Sequence, residues 1–221
     1  MNYRTALLGL AAVAATAFAG AAQAQSQAQT FQPKQKGAVI LNLRVTNVGP
    51  QGDDAIRTAA GAPAGLNVDV GDSWAPTLGL TYFLTDNIAV EAIAGTTRHT
   101  VRAVGPATDV AVHRTWVLPP VVTLQYHFAP QGRVSPYVGA GVNYMLFHSG
   151  RDRNGFSLDL DDGFGTALQA GVDVALQGKW SLNLDAKKVF FKTDASINGG
   201  ALVSKVHLDP WVLSAGVGYR F

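Results

Sequence analysis

Eight stretches of this chain place an apolar side chain at every second position, and that period restricts the fold more than any other feature. The first sets Val39, Leu41, Leu43 and Val45 against Ile40, Asn42, Arg44 and Thr46. The last sets Trp211, Leu213, Ala215, Val217, Tyr219 and Phe221 against Ser214, Gly216, Gly218 and Arg220. Similar runs cover Leu78 to Leu84, Ile88 to Ala94, Val117 to Phe128, Pro136 to Phe147, Leu168 to Leu176 and Trp180 to Lys187. A period of two sends neighbouring side chains to opposite faces of a strand. A half-buried strand of a soluble sandwich has the same period, so a sandwich is the alternative to be weighed.

The connections separate the two. Thr85 to Asn87, Ala129 to Ser135 and Gln177 to Lys179 are short; Gly49 to Ser73, Arg98 to His113, His148 to Gly163 and Asp194 to Leu208 are long. Strict alternation of short and long is what a membrane barrel with tight periplasmic turns and long outer loops requires, and a sandwich has no reason for it. Aromatic residues stand near strand ends at Trp74, Trp116, Trp180, Trp211, Tyr219 and Phe221, as an interfacial belt demands. Charged residues are only 14 % of the chain and apolar ones 48 %, against roughly a quarter charged in soluble domains. No apolar run after the N-terminal segment reaches the roughly 20 residues of a spanning helix. The expectation is an all-β, eight-stranded antiparallel transmembrane β-barrel. The net charge of +2 gives no ground for nucleic-acid binding. There is no cysteine, so stability has to come without disulfides.

The chain begins MNYRTALLGLAAVAATAFAGAAQAQ. Arg4 supplies a positive start, an Ala/Leu-rich stretch follows, and Ala22 to Ala24 carry the small residues a signal peptidase needs. Residues 1–24 therefore read as a secretory signal peptide cut after Ala24, with a membrane-anchoring helix as the alternative. Residues 25–36 are polar and low in complexity and read as a flexible lead-in; 37–221 is the barrel.

Three segments carry a family likeness. LPPVVTLQYHF, PYVGAGVNY and DPWVLSAGVGYRF together resemble the hallmark stretches of the OmpW outer-membrane protein family. The resemblance runs from about Lys36 to Phe221. It implies an eight-stranded barrel in the outer membrane of a Gram-negative bacterium and a role in moving small hydrophobic molecules across it. The terminal Phe221 resembles the signal read by the barrel-assembly machinery. The further partners implied are outer-membrane lipids and lipopolysaccharide. No cofactor and no catalytic motif follow from the likeness.

An eight-stranded barrel is just wide enough to be filled by its own side chains. Strand parity, with a periplasmic N-terminus, points Glu91, Asp173, Asp185, Lys187 and Arg220 inward near the periplasmic end. These form a candidate polar plug, because charges there must pair. Val117, Val121, Met145 and Phe147 point inward near the outer end and Ile93 nearer the middle, forming a candidate apolar lumen. Pro119 and Pro120 interrupt the fourth strand, where neither can donate a ladder bond. Either they mark a bulge that shapes the wall, or they make a weak lateral seam through which an apolar solute leaves for the bilayer.

Other chemistry is set aside. His99, His113, His127, His148 and His207 have no metal-ligand spacing and read as loop and interface histidines. Asp159 to Gly163 lacks the glycine and glutamate positions of a calcium loop. His148–Ser149 has no acid assignable to it, so an enzyme is not expected. A structural or surface-interaction barrel remains the alternative to a transporter, and it would need no apolar lumen.

Overall fold

The structure, a computed structural model, describes residues 31–221; the signal-peptide segment lies outside the described residues. The strands are β1 (Val39–Gly49), β2 (Ala55–Thr58), β3 (Pro63–Val70), β4 (Ser73–Phe83), β5 (Ile88–Ala94), β6 (Thr97–Gly105), β7 (Thr108–Leu118), β8 (Val121–His127), β9 (Val134–Asp152), β10 (Leu158–Leu160), β11 (Gly163–Ala175), β12 (Trp180–Phe190), β13 (Lys192–Ile197), β14 (Leu202–His207) and β15 (Trp211–Arg220).

Eight of them close on themselves. β1 pairs with β4, β4 with β5, β5 with β8, β8 with β9, β9 with β11, β11 with β12, β12 with β15, and β15 returns to β1, every pair antiparallel. The closing ladder runs from Ile40 opposite Arg220 to Gly49 opposite Trp211. Closure leaves no edge with unpaired backbone groups, the condition for crossing hydrocarbon.

The burial is inverted relative to a water-soluble protein. Leu43 is 53 % exposed and Glu91 is 0 % exposed. Leu41, Leu78, Leu80, Leu124 and Leu184 share the outer band with Leu43, while Arg44, Asn143 and Lys187 point inward and are buried. A soluble sandwich cannot carry such a band in water. Turn chemistry fixes the periplasmic ends. Thr85 Oγ1 accepts from the Ile88 amide at 2.9 Å, and Leu84 N donates to Ile88 O at 2.8 Å. Gly178, at φ 65°, makes the turn between β11 and β12, where Leu176 N donates to Trp180 O at 2.8 Å.

The long connections are not loose. They form a second sheet above the barrel, in the order β10-β13-β14-β2-β3-β6-β7-β9. Its inner face packs one apolar cluster that includes Ile56, Val68, Val112, Leu158, Ile197 and Val206.

The segment expected to be a flexible lead-in differs in its described part. Gln32 N donates to Gly178 O at 3.2 Å and Lys34 N to Pro130 O at 2.9 Å, so residues 31–36 fold back under the periplasmic turns. The reason is electrostatic: Lys34 reaches a carboxylate inside the barrel, described below.

The bulge that the prolines allow is absent at their position. Leu118 faces Leu146 and Val121 faces Asn143, three residues further on each strand, so the register against β9 passes the prolines unchanged. Tyr144 N still donates to Pro120 O at 3.1 Å. Register irregularities occur instead higher up, at Val101/Arg102 and Arg114/Trp116.

Candidate functional site

The lumen has a charged floor and an apolar upper chamber. In the floor, Arg44 Nη2 donates to Glu91 Oε1 at 2.5 Å and Arg44 Nε to Asn183 Oδ1 at 2.6 Å. Lys187 Nζ stands 3.2 Å from Glu91 Oε2 and donates to Asp185 Oδ1 at 2.5 Å. Gln169 Nε2 donates to Glu91 Oε2 at 2.8 Å and to Asp185 Oδ2 at 2.5 Å. Tyr137 Oη donates to Asp185 Oδ2 at 2.7 Å. At the periplasmic side Lys34 Nζ donates to Asp173 Oδ2 at 2.5 Å, and Asn183 Nδ2 donates to Asp173 Oδ1 at 2.7 Å. Three cations thus face three carboxylates with amides and a phenol between them. Such a balance is needed because a single unpaired buried charge costs several kcal/mol.

Of the residues placed in the plug from parity, Glu91, Asp173, Asp185 and Lys187 meet in this network. Arg220 stands apart, lining a recess of about 380 Å³ at the periplasmic mouth together with Gln32, Lys34 and Asp173. Arg44 and Lys34 are members that the sequence reading did not single out. Arg44 has inward parity and was recoverable from it. Lys34 precedes the first strand and carries no period, although the inward set taken from parity had one more anion than cations. His127 differs from its reading as a loop or interface histidine. It is buried in the lumen, its ring centroid 4.8 Å from both Phe83 and Tyr137.

Above the floor lies a chamber whose wall is almost wholly apolar and whose space between atoms, open mouth included, is about 740 Å³. Val117, Met145 and Phe147 line it from β7 and β9, and Ile56, Val68 and Ala195 from the upper sheet. Ile93 and Val121 are buried in the same apolar cluster, beneath the chamber. Pro119 lies on the cavity wall, and Pro120 is half-buried beside it.

The prolines adjoin a lapse in the barrel ladder. β5 pairs with β8 up to Ile93 opposite Val121, and β6 pairs with β7 from Thr97 opposite Val117. Between them Gly95 and Thr96 belong to no strand. On the other side β4 pairs with β5 only as far as Leu78 opposite Ala94, and Pro76, which has no amide hydrogen, stands in β4 just above. The lapse is closed sterically, since a Cβ on Gly95 would lie 2.5 Å from Thr77 Cγ2. It is a stretch of wall with few backbone bonds rather than a hole. Thr97, Val117 and Pro119 belong both to its rim and to the cavity lining.

A closed, inside-out barrel with a paired ionic floor, an aromatic belt and a raised outer sheet is an outer-membrane β-barrel. The OmpW family profile matches residues 35–221, and the chain belongs to the OmpW family. It is 40 % identical over 220 residues to the uncharacterized outer-membrane protein y4mB of Sinorhizobium fredii, covering 96 % of this chain and 95 % of that one. It is 34 % identical over 160 residues to the dibenzothiophene metabolism operon protein PahQ of Pseudomonas aeruginosa, covering 71 % and 76 %. The crystal structure of the outer-membrane protein OprG from Pseudomonas aeruginosa superposes with a TM-score of 0.81 at 28 % identity, over 86 % of this chain and 99 % of that one. The protein resides in the outer membrane, where its exposed band meets lipid.

Proposed function

We propose that this protein passes small hydrophobic molecules from outside the cell into the outer membrane. A solute enters the apolar chamber, meets the ionic floor, and leaves sideways into the bilayer through the stretch of wall around Gly95, Thr96, Pro119 and Pro120. The observation that carries this reading is the shared boundary: the lining of the apolar chamber includes Thr97, Val117 and Pro119, which border the ladder lapse. Passage through the floor would mean desolvating or separating four buried ion pairs, whereas transfer from water into lipid gains about 0.8 kcal/mol per methylene. The relative PahQ is named for a dibenzothiophene metabolism operon, and dibenzothiophene is an apolar solute of the kind the chamber suits. In this reading the barrel carries no catalytic function, and Phe221, 65 % exposed with its amide donating to Val39 O at 2.9 Å, serves insertion by the assembly machinery.

The test is uptake of a radiolabelled apolar solute by cells with the protein, without it, and with Pro119→Val/Pro120→Val. The double substitution restores two amide donors and is expected to slow uptake severalfold while the barrel still folds. Unchanged uptake by the folded variant removes the sideways route. Equal uptake with and without the protein removes transport altogether and leaves a structural or surface-interaction barrel.

A further inference from the structure

The outer wall just above the membrane carries a group of arginines that the transport reading does not use. Arg98 of β6, Arg114 of β7, Arg151 of β9 and Arg153 just beyond it lie close together. Arg114 and Arg151 face each other across the β7–β9 ladder. Arg98 and Trp116 are cross-strand partners, and the Arg98 guanidinium lies 5.6 Å from the centre of the Trp116 ring. Trp116 is exposed on the outer wall, at a strand position expected for the interfacial belt. Parity then places Arg98, Arg114 and Arg151 on that same outward face.

None of the four has a carboxylate partner within ion-pair distance among the described residues. Arg114 Nε donates only to Thr100 Oγ1, at 3.2 Å. Asp152, between Arg151 and Arg153 in sequence, is engaged elsewhere: its Oδ1 lies 2.9 Å from His113 Nδ1 and accepts from the Leu158 amide at 3.1 Å. The group repels itself, and the charges of Arg153 and Arg98 push the Arg114 guanidinium below its ordinary value. The bulge at Arg114/Trp116 contributes to the arrangement, because the register shifts there between β7 and β9 and leaves Arg151, rather than Gly150, opposite Arg114.

We propose that Arg98, Arg114, Arg151 and Arg153 bind the phosphate groups of an outer-leaflet glycolipid, lipopolysaccharide. A guanidinium presents paired donors that match phosphate oxygens two at a time. Four of them with no carboxylate paired to them among the described residues, set one step above a lipid-facing tryptophan, meet a multiply charged headgroup at the depth where its phosphates lie. The ligand relieves the mutual repulsion of the group, and the apolar band below receives the acyl chains.

The experiment titrates the detergent-purified full-length protein with lipopolysaccharide, with the same lipopolysaccharide dephosphorylated, and with inorganic phosphate, by native mass spectrometry and calorimetry. The wild type is expected to bind the phosphorylated form at least tenfold more tightly than the other two. Arg98→Gln/Arg114→Gln/Arg151→Gln/Arg153→Gln is expected to lose that tenfold preference, with folding checked by heat-modifiable electrophoretic mobility. Arg133→Gln/Lys179→Gln at the periplasmic rim is expected to keep it. Arg151→Gln and Arg153→Gln, whose side chains make no hydrogen bond among the described residues, serve singly if the quadruple variant does not fold, and each is expected to weaken binding severalfold. Undiminished binding by the quadruple variant or by both single variants, equal binding of the dephosphorylated lipid, an equal loss in the rim variant, or inorganic phosphate binding as tightly as the glycolipid would each overturn the assignment.

Discussion

Arg44 and Glu91 meet at 2.5 Å across the inner face of β4, although their own strands are not neighbours in the barrel. Gly79 of β4 leaves the space for them: a Cβ there would lie 2.8 Å from Arg44 Nη1 and 3.3 Å from Glu91 Oε1. Glu91→Gln strips the floor of the carboxylate shared by Arg44 and Lys187 and is expected to cost about 3–5 kcal/mol of barrel stability. The Arg44→Met/Glu91→Met pair should lose less than its two single changes added together, with a coupling of roughly 0.5–3 kcal/mol. Urea unfolding from lipid vesicles measures both, and additive losses would mean that the pair is not an energetic unit.

The barrel closes through a contact that only glycine allows. A Cβ at Gly216 of β15 would come within 2.0 Å of the Leu43 carbonyl oxygen on β1. Gly216→Val is therefore expected to block the closing ladder, because the obstacle is backbone and cannot rotate away. The folded, fast-migrating band in unheated electrophoresis should disappear for Gly216→Val and persist for Gly37→Val, a change at a site with nothing within 4 Å of the added carbon. The Gly37 control carries backbone strain from its φ of +83°, so its persistence separates local strain from failed closure.

Lys34 ties the N-terminal segment into the lumen through Asp173. Lys34→Met leaves that carboxylate without its cation, and a stability loss of about 3 kcal/mol is expected. The amides of Gln32 and Lys34, bonded to Gly178 O and Pro130 O, should exchange hydrogen faster in the variant. Unchanged exchange would show that backbone bonds alone hold the segment.

Filling the chamber separates passage from folding. Ala195 is 3 % exposed and lines the cavity. Ala195→Trp narrows the chamber with an indole and is expected to reduce apolar-solute uptake severalfold, leaving electrophoretic mobility unchanged. Full uptake in a folded variant would remove the chamber from the route.

Acid should loosen the outer sheet at His99. Burial pushes this imidazole below its ordinary value of 6.5, and the hydrogen bond to the Gly71 carbonyl and the nearby Asp72 charge offset only part of that. The folded sheet holds His99 neutral, with Nδ1 at 2.8 Å from Gly71 O and Nε2 at 2.9 Å from Thr97 Oγ1. Below about pH 6.5 the unfolded form takes up a proton that the folded form refuses, so stability present above that pH declines as pH falls. The Gly71 amide, bonded to Thr100 O, should show more opening at pH 5 than at pH 7.5 after correction for intrinsic exchange. In His99→Asn that difference should vanish; its persistence would assign the acid sensitivity to another group.

Much of the fold was legible because a strand reports its two faces in strict alternation. Leu41, Leu43 and Val45 against Asn42, Arg44 and Thr46 declare which side meets lipid before any partner is known. The short turns at Thr85 to Asn87 and Gln177 to Lys179 declare the antiparallel order. The candidate site was legible only in part. Parity pointed Glu91, Asp185 and Lys187 inward, but not at one another, since pairing across a lumen depends on stagger between strands that are distant in sequence. Lys34 had no period to reveal it. The long connections gave no alternation strong enough to mark β2, β3, β13 and β14, whose pairing is made between loops far apart in the chain.

By itself, then, the sequence determined that this chain spans a membrane as a closed ribbon, which residues face lipid, and which family it belongs to, because each of those is written in local order. Only the tertiary structure decided that three cations meet three carboxylates, that an apolar chamber opens above them, that the register runs unbroken past Pro119 and Pro120, and that four arginines gather over Trp116. The physical reason is range: the period of a strand is set by its own backbone geometry, whereas a cavity, an ion pair and a charged patch exist only once distant strands are brought into register.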